Sequence, residues 1–93
     1  MRAIDSTTKF KQDFKRELRG KHKKFLETSF ESLLTKLAMD QKLEPKYRDH
    51  SLTGNWKDFR DCHLKPDLVL LYRKDGEDSL ILVRLGSHSE LAL

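Results

Sequence analysis

The sequence has little of what would cross-link a chain, anchor it in a membrane or keep it unfolded. Its one cysteine, Cys62, cannot form an internal disulfide and is typical of a reducing compartment. No apolar run approaches the ~18 residues of a membrane-spanning helix, and the N-terminus shows no apolar segment typical of a signal peptide. With 4 glycines and 2 prolines, the chain shows no low-complexity linker. We therefore expect one soluble, cytoplasmic domain of 93 residues without a membrane partner.

Positive charge is concentrated in the first half of the chain. The net charge is +4, and most of the basic excess lies in residues 9–24. Such a cluster favours a polyanionic partner, either RNA or an acidic protein segment. The alternative is a basic helix face that only contacts solvent.

Apolar periodicity in the first half predicts a short strand followed by two helices. Residues 2–5 are expected to form the strand. Phe10, Phe14 and Leu18 recur every four residues, which indicates a helix that ends near Arg19, before Gly20. A stronger apolar stripe predicts a second helix over residues 23–40. Because the link between the helices is short, they are expected to form an antiparallel hairpin.

The second half reads as a loop followed by strands. Residues 46–57 are expected to be a loop, and three strands are expected at residues 59–64, 68–72 and 80–85. Asp75-Gly76 indicates a type I′ hairpin turn, and residues 89–93 a short tail. The fold class is therefore α+β: a strand, a two-helix hairpin, then a three- to four-stranded antiparallel sheet. The helices should cover one sheet face and leave the other for chemistry.

Four residues are expected to meet at one end of this sheet: His50, His63, Asp67 and His88. Their convergence depends on antiparallel pairing of the last two strands. Three imidazoles and a carboxylate suit proton transfer near neutral pH, because histidine titrates close to pH 6.5. Any one of these histidines could be structural, so their convergence is what indicates a site. The remaining histidine, His22, is expected to be a solvated loop residue.

Other chemistries have weaker support. The same residues could bind zinc, but no HExxH, CxxC or HxH spacing occurs, so we predict neither a metal nor a cofactor. No nucleophile motif or phosphate-binding glycine loop is present, and Cys62 is expected in the core. Arg60 and Arg84, beside strands, could clamp a scissile phosphate of RNA. Arg60 and His63 are three residues apart and should face opposite sides of a strand.

Three motifs follow one another in the second half of the chain. They are D-H-x-L-x-G-x-W-K at residues 49–57, R-D-x-H-x-x-P-D at residues 60–67 and R-x-G-S-H at residues 84–88. In this order and spacing they resemble the YafQ-type toxins of the RelE/ParE superfamily. The helical half is similar in length and order rather than in residues. The RelE-like order of a strand, two helices and further strands agrees with the periodicity.

The resemblance implies an endonuclease that cleaves mRNA in the ribosomal A site, the toxin of a type II toxin–antitoxin pair. It implies a metal-independent reaction in which a ribose 2′-OH attacks the adjacent phosphate and expels the 5′-oxygen. The implied partners are the mRNA, the ribosome with its 16S rRNA, and a cognate antitoxin protein that wraps the toxin. No cofactor is implied.

The resemblance also implies roles for particular residues. His50, His63, Asp67 and His88 would form the catalytic set, with Asp67 or His50 deprotonating the 2′-OH and His88 protonating the leaving oxygen. Arg84 would hold the phosphate. Further contacts with RNA would come from Arg60 and Lys57. Contacts with ribosomal RNA would come from the basic run, namely Lys9, Lys11, Lys15, Arg16, Arg19, Lys21, Lys23 and Lys24.

The sequence departs from the family pattern at two places and leaves two other functions open. Leu68 and a position near Leu91 stand where the family has aromatic residues, which bears on codon preference. One alternative is a ParE-like toxin that poisons gyrase; such proteins generally lack the histidine set. The other is a plain RNA-binding module in which the histidines are incidental.

Overall fold

Five strands form one mixed sheet in the computed structural model, which describes residues 1–92. They are β1 (Ala3–Ser6), β2 (His50–Ser51), β3 (Arg60–Lys65), β4 (Leu68–Asp75) and β5 (Ser79–Gly86), in the order β1-β5-β4-β3-β2. The α+β class is confirmed. The four strands that follow the helices, β2 to β5, pair antiparallel as expected, whereas β1 pairs parallel with β5 at one edge and makes the sheet mixed. The chain leaves β1 through the helices, enters the sheet again at the opposite edge and returns strand by strand to β1.

Four helices accompany the sheet: α1 (Thr8–Glu17), α2 (Lys23–Thr28), α3 (Phe30–Ala38) and α4 (His88–Leu91). The single helix expected over residues 23–40 is wrong, because the chain leaves helical geometry at Ser29, where φ is −123°. There the Thr28 hydroxyl donates to the Lys24 carbonyl at 2.7 Å, a local bond that competes with regular helix. None of the described helices is long and apolar enough to cross a membrane.

The end of the chain and its loops also differ from expectation. Residues 89–91, expected in a tail, belong to α4, which begins with a capping box between Ser87 and Glu90; Leu93 lies outside the described residues. Asp75 still pairs with Ser79, so the hairpin loop has three residues and only Gly76 has a positive φ, of 58°. A type I′ turn needs two such residues, so that prediction is wrong. The loop at residues 46–57 contains β2 and two short 3-10 turns.

One face of the sheet carries the hydrophobic core. Alternate residues of β3 to β5 point toward the helices, where three phenylalanine rings of α1 and α3 stack with centroids 5.8–6.3 Å apart. Cys62 lies in this core as expected; it is fully buried, and burial raises the pKa of its thiol. Asp61 and His63 alternate with Cys62 along β3 and therefore lie on the opposite face.

Side chains of α1 complete the edge of β5 where β1 has ended. The Thr7 hydroxyl donates to the Val83 carbonyl at 2.8 Å. The Asp13 carboxylate accepts the Leu85 backbone N–H at 3.0 Å, and the Arg16 guanidinium donates to the Leu85 carbonyl at 2.8 Å. These side chains satisfy backbone groups that would otherwise need a neighbouring strand.

Asp13 is the centre of this edge. Its side chain is 5% exposed and also accepts hydrogen bonds from Arg84 Nε at 2.7 Å and Arg16 Nη1 at 2.9 Å. Burial raises the pKa of the Asp13 carboxyl, but the hydrogen bonds from Arg84, Leu85 and Arg16 and the charge of Arg84 together outweigh burial. The net pKa lies below its usual value, so the carboxylate is charged at neutral pH.

Replacing Asp13 with alanine should lower the free energy of unfolding by about 2–3 kcal/mol, because the buried Leu85 N–H and the Arg84 guanidinium lose their acceptor. Urea denaturation measures the change. Glu77→Ala removes an exposed carboxylate from the hairpin loop and should change stability by less than about 0.5 kcal/mol. Equal effects of the two substitutions would contradict the role assigned to Asp13.

Candidate active site

The register of the strands brings three of the expected histidines together. His50 of β2 lies opposite Asp61 of β3, and His63 follows two residues later on the same face. Across β4, His63 is level with Gly86, the last residue of β5. The helix α4 then begins with His88. The antiparallel pairing on which the predicted convergence depended is therefore present.

The three imidazole rings form a row beside one carboxylate. Ring centroids are 4.8 Å apart for His63 and His88, and 6.2 Å apart for His50 and His63. Asp61, His63 and His88 each offer a nitrogen or oxygen atom, and these atoms lie within 4.8 Å of one another. Sequence reasoning did not include Asp61 in the site. The signal was its spacing of two from His63 in a strand, which puts both side chains on one face.

Asp61 is a buried carboxylate with an unsatisfied oxygen. The residue is 2% exposed, and its Oδ1 has no hydrogen-bond partner among the described residues. His50 Nε2 lies 3.1 Å from this oxygen without the alignment of a hydrogen bond. The other ring nitrogen, His50 Nδ1, is 2.6 Å from the Arg48 carbonyl. A carbonyl only accepts, so Nδ1 carries a proton and Nε2 is the nitrogen that can exchange one at the site.

His63 has a perturbed ionisation. Burial lowers the pKa of His63, the nearby Asp61 raises it, and the neighbouring histidines and Arg48 lower it further. The net pKa lies below the usual value near 6.5. The neutral ring, which can accept a proton, is therefore the dominant form near neutral pH.

Asp67 has different partners from the three histidines. It is 44% exposed, forms an ion pair with Lys21 and lies 3.0 Å from His22 Nε2. The hydrogen bond from Lys21 is the main reason that the pKa of Asp67 lies below its usual value. The expectation that His22 is solvated is wrong: its side chain is only 11% exposed, because it packs beside Asp67 at the start of α2.

The arginines predicted to bind phosphate are held by carboxylates. Arg84 uses Nε and Nη2 for Asp13, at 2.7 and 3.3 Å. Arg60, opposite Tyr72 in the sheet, is on the core side, away from His63 as expected; it contacts Asp49 and the Tyr72 hydroxyl, both at 3.3 Å.

The other residues predicted to bind RNA lie at the surface. Lys57 is exposed, and all eight cations predicted to contact ribosomal RNA are exposed as well. Two of the eight are held by carboxylates of the chain itself. Arg16 forms ion pairs with Asp13, Glu17 and Glu90, and Lys21 forms one with Asp67.

Asp61, His63 and His88 could also hold a metal ion. Two imidazoles and a carboxylate are ligands that zinc and copper accept. The sequence-based prediction of no metal rested on the absence of a linear motif. Asp61 and His63 come from β3 and His88 from α4, so a linear spacing could have indicated only the first two.

Comparison with known proteins adds a family and several relatives. A sequence model of the family described as "Bacterial toxin of type II toxin-antitoxin system, YafQ" matches residues 2–93. A protein of Haemophilus influenzae named as a YafQ toxin is 42% identical over 69 residues, which are 71% of this chain and 64% of that protein. The mRNA interferase toxin YafQ of Escherichia coli K12 is 44% identical over 45 residues. Those residues are 48% of each chain, so the match spans about half of that relative.

Solved structures resemble this chain over nearly its full length. A copper-bound mutant toxin from Helicobacter pylori is 40% identical with a TM-score of 0.89, covering 98% of this chain and 99% of that one. YafQ in the E. coli DinJ-YafQ complex is 32% identical with a TM-score of 0.81, covering 98% of both chains.

The lowered pKa of His63 predicts a specific effect of pH on stability. The unfolded chain binds this proton more readily than the folded chain, so the stabilising effect is complete above about pH 6.5 and is lost as the pH falls through the lower, folded value. The His63→Gln variant should therefore lose less stability than the wild type between neutral and mildly acidic pH. Urea denaturation at both pH values measures this difference. Glu77→Gln should follow the wild type, and the same behaviour of His63→Gln would contradict the assignment.

Proposed function

Because this chain belongs to the YafQ family of bacterial toxins of type II toxin–antitoxin systems, we propose that it is an endoribonuclease that cleaves mRNA in the ribosomal A site and so inhibits translation. The observation that carries the proposal is the row of His50, His63 and His88 beside the buried Asp61 on the sheet face opposite the core. The name of the E. coli relative, an mRNA interferase, supports the same reaction class.

The proposed reaction is an internal transesterification of RNA. The ribose 2′-oxygen attacks the adjacent phosphorus, and the bond from phosphorus to the 5′-oxygen of the next nucleotide breaks. The 2′-OH gives its proton to a base, and an acid gives a proton to the leaving 5′-oxygen. The products are a 2′,3′-cyclic phosphate and a new 5′-OH, and no oxidant or cofactor is needed.

The environments of the histidines favour different roles in this reaction. His63, whose ring is kept neutral by burial, accepts the proton of the 2′-OH. His88, whose ring centroid is 4.8 Å from that of His63, protonates the leaving oxygen. Asp61 stabilises positive charge on the imidazoles, and the Arg48 carbonyl orients His50.

Contacts with the RNA backbone complete the proposal. Arg84 is on the same sheet face as Asp61, and its bonds to Asp13 use Nε and Nη2, so Nη1 would be the donor for the phosphate. Lys57 would contact flanking nucleotides, whereas Arg60 lies on the core side, bonded to Asp49 and Tyr72, and is given no RNA contact in this proposal. The exposed lysines of residues 9–24 would bind the phosphates of 16S rRNA.

The resemblance includes Asp67 in the catalytic set, but the structure offers a second carboxylate, Asp61, for that role. Its carboxylate is paired with Lys21 and is close to His22, whereas the Asp61 carboxylate is close to His50, His63 and His88. We assign the electrostatic role to Asp61 and a role in fixing the basic residues around α2 to Asp67. Substituting Asp61 and Asp67 one at a time distinguishes these two roles.

The residues of the site also fit a metal ion, and a similar toxin from H. pylori has been solved with copper bound. The buried Asp61 Oδ1 has no hydrogen-bond partner, and imidazole nitrogens of His63 and His88 are within reach of the same point. Asp61, His63 and His88 would hold the ion, which would supply positive charge there. It would also occupy the ring nitrogens that exchange protons. We therefore propose that the reaction is metal-independent and that such ions inhibit it.

We also propose a cognate antitoxin as a protein partner. The E. coli relative is described in a complex of DinJ with YafQ. The net charge of +4 favours an acidic partner segment. When the products of the neighbouring genes are co-expressed one at a time, one of them should relieve growth inhibition. Undiminished inhibition with every neighbour would contradict this proposal.

Cleavage of an mRNA on programmed ribosomes should depend on His88. The protein is treated with EDTA, and defined Mg²⁺ is then restored for the ribosome. Under these conditions we expect the wild type to cut the mRNA within codons. The rate of cleavage by His88→Ala should be lower by a factor of about 100 or more, because the leaving oxygen loses its general acid. Asp61→Asn should lose more activity than Asp67→Asn. Arg73→Gln, which removes a charge far from the site at the β4 hairpin end, should retain activity.

The outcomes separate the candidate functions. Ribosome-dependent cuts that vanish with His88→Ala support the endonuclease. No cleavage by the wild type, with growth inhibition persisting in cells, would favour the gyrase-directed alternative. RNA binding with neither cleavage nor dependence on His88 would favour a plain RNA-binding module.

Binding of Cu²⁺ or Zn²⁺ should raise the melting temperature of the metal-free protein, because the ion neutralises the buried Asp61 in the folded state. His63→Gln and Asp61→Asn should each reduce the shift strongly, whereas Cys62→Ser should retain it because the thiol lies on the core face. The same ions should slow cleavage by the wild type. Faster cleavage with added metal would overturn the metal-independent reaction.

A further inference from the structure

A cleft of about 660 Å³ opens beside His63 and His88 on the side away from His50. We call it the cationic cleft and define it by Lys46, Tyr47, Arg48 and Lys65, with the two histidines at its inner end. Its volume is in the range of sites that take small molecules or a nucleotide. The catalytic row therefore continues directly into a binding space that the proposed reaction does not yet use.

The charge of this cleft is of one sign. Lys46, Arg48 and Lys65 contribute ammonium and guanidinium groups, and among residues 1–92 no carboxylate lines the cleft. Lys46 Nζ lies 3.7 Å from Glu44 at the surface, an exposed pair that contributes little, and the Asp61 carboxylate lies beside the two histidines at the inner end. Three cations around one concave space favour an anion with more than one negative group, such as consecutive phosphates.

Aromatic rings face the same space. Tyr47 and Phe25 line the cleft, and each packs partly against the core, which holds the ring in place. Lysine ammonium groups lie over both rings: Lys46 Nζ is 5.2 Å from the Tyr47 centroid, and Lys65 Nζ is 5.0 Å from the Phe25 centroid. A nucleobase can displace a flexible lysine from such a ring face and stack on the ring. The displaced lysine is then available to bind the phosphate.

The backbone at Arg48 links the cleft to the catalytic row. Arg48 has φ 50° and ψ 43°, a left-handed conformation that costs a residue with a Cβ roughly 1–2 kcal/mol. In this conformation its side chain lines the cleft while its carbonyl bonds to His50 Nδ1 at 2.6 Å. A ligand that fixes Arg48 would therefore also fix the orientation of His50.

We propose that the cationic cleft is a nucleotide subsite for single-stranded RNA, in which a base stacks on Tyr47 and the adjoining phosphates bind Arg48 and Lys65. This inference rests on the proposed function, because His63 and His88 place the scissile phosphate at the inner end of the cleft. The subsite holds the neighbouring nucleotide of the strand. Stacking accepts any base, so we expect this position to contribute affinity and only a weak sequence preference.

The test measures binding of a fluorescent RNA hexamer with 2′-O-methyl groups, which the enzyme cannot cleave, by fluorescence anisotropy. Tyr47→Leu keeps an apolar side chain against the core but removes the ring, and should weaken binding about tenfold. Tyr47→Phe should bind like the wild type. Arg48→Asn, which tolerates the left-handed backbone, and Lys65→Gln should each reduce the slope of log affinity against log salt by about 0.7.

Controls separate the subsite from general electrostatic attraction and from misfolding. Arg73→Gln removes one charge outside the cleft and should leave the affinity within about twofold. Heparin, a polyanion without bases, should bind Tyr47→Leu as well as the wild type. Thermal melting of each variant shows whether a loss of affinity follows a loss of structure. If Tyr47→Leu is unstable, Lys65→Gln keeps the test valid, because Lys65 is exposed.

Wild-type cleavage of mRNA on ribosomes, measured in parallel, tests the proposed function separately from the subsite. If the wild type cleaves mRNA but Tyr47→Leu, Arg48→Asn and Lys65→Gln all bind the hexamer normally, the subsite is overturned and the endonuclease stands. If the wild type binds RNA through these residues without cleaving, the subsite stands and the reaction does not. Loss of heparin binding in Tyr47→Leu, equal to the loss of RNA binding, would also overturn stacking.

Discussion

The hydrogen bonds of the buried Asp13 carboxylate are the interactions on which the face with the three histidines depends. It joins α1 to the end of β5 through Arg84 and the Leu85 backbone, where no strand is available to pair. The chain then passes Gly86, where a Cβ would lie 2.9 Å from Arg16 Nη2 and 3.1 Å from Glu90 Oε1, so a larger residue would have to displace the ends of these two side chains. The position of α4, and with it the ring of His88, follows from this joint.

The sheet separates two tasks by the alternation of its side chains. Along β3, Cys62 and Leu64 point to the helices and supply core, while Asp61 and His63 point to the opposite face. The apolar side stabilises the sheet without any polar group from the site having to be buried in it. The site can therefore keep poorly satisfied groups, because the hydrophobic face supports the strand that carries them.

Electrostatics in the row of histidines work against stability and in favour of chemistry. Asp61 is buried with an oxygen that has no hydrogen-bond partner, an arrangement that destabilises the folded state unless a positive charge is near. Burial keeps His63 neutral, and a neutral imidazole does not supply that charge. A proton on either neighbouring imidazole, or a metal ion, would relieve the same unfavourable contact. A proton on an imidazole and a metal ion would thus compete for one carboxylate.

The sequence by itself determined the fold class, the order of the elements and the convergence of His50, His63 and His88, because periodicity and hairpin pairing act over short separations. Only the tertiary structure decided which carboxylate joins them. Asp67 follows the turn after β3 and meets Lys21, whereas Asp61 is placed by its pairing with His50. The parallel position of β1 and the edge made by Asp13 were likewise beyond the sequence. They join residues about 70 positions apart, and no local pattern records contacts between residues so distant.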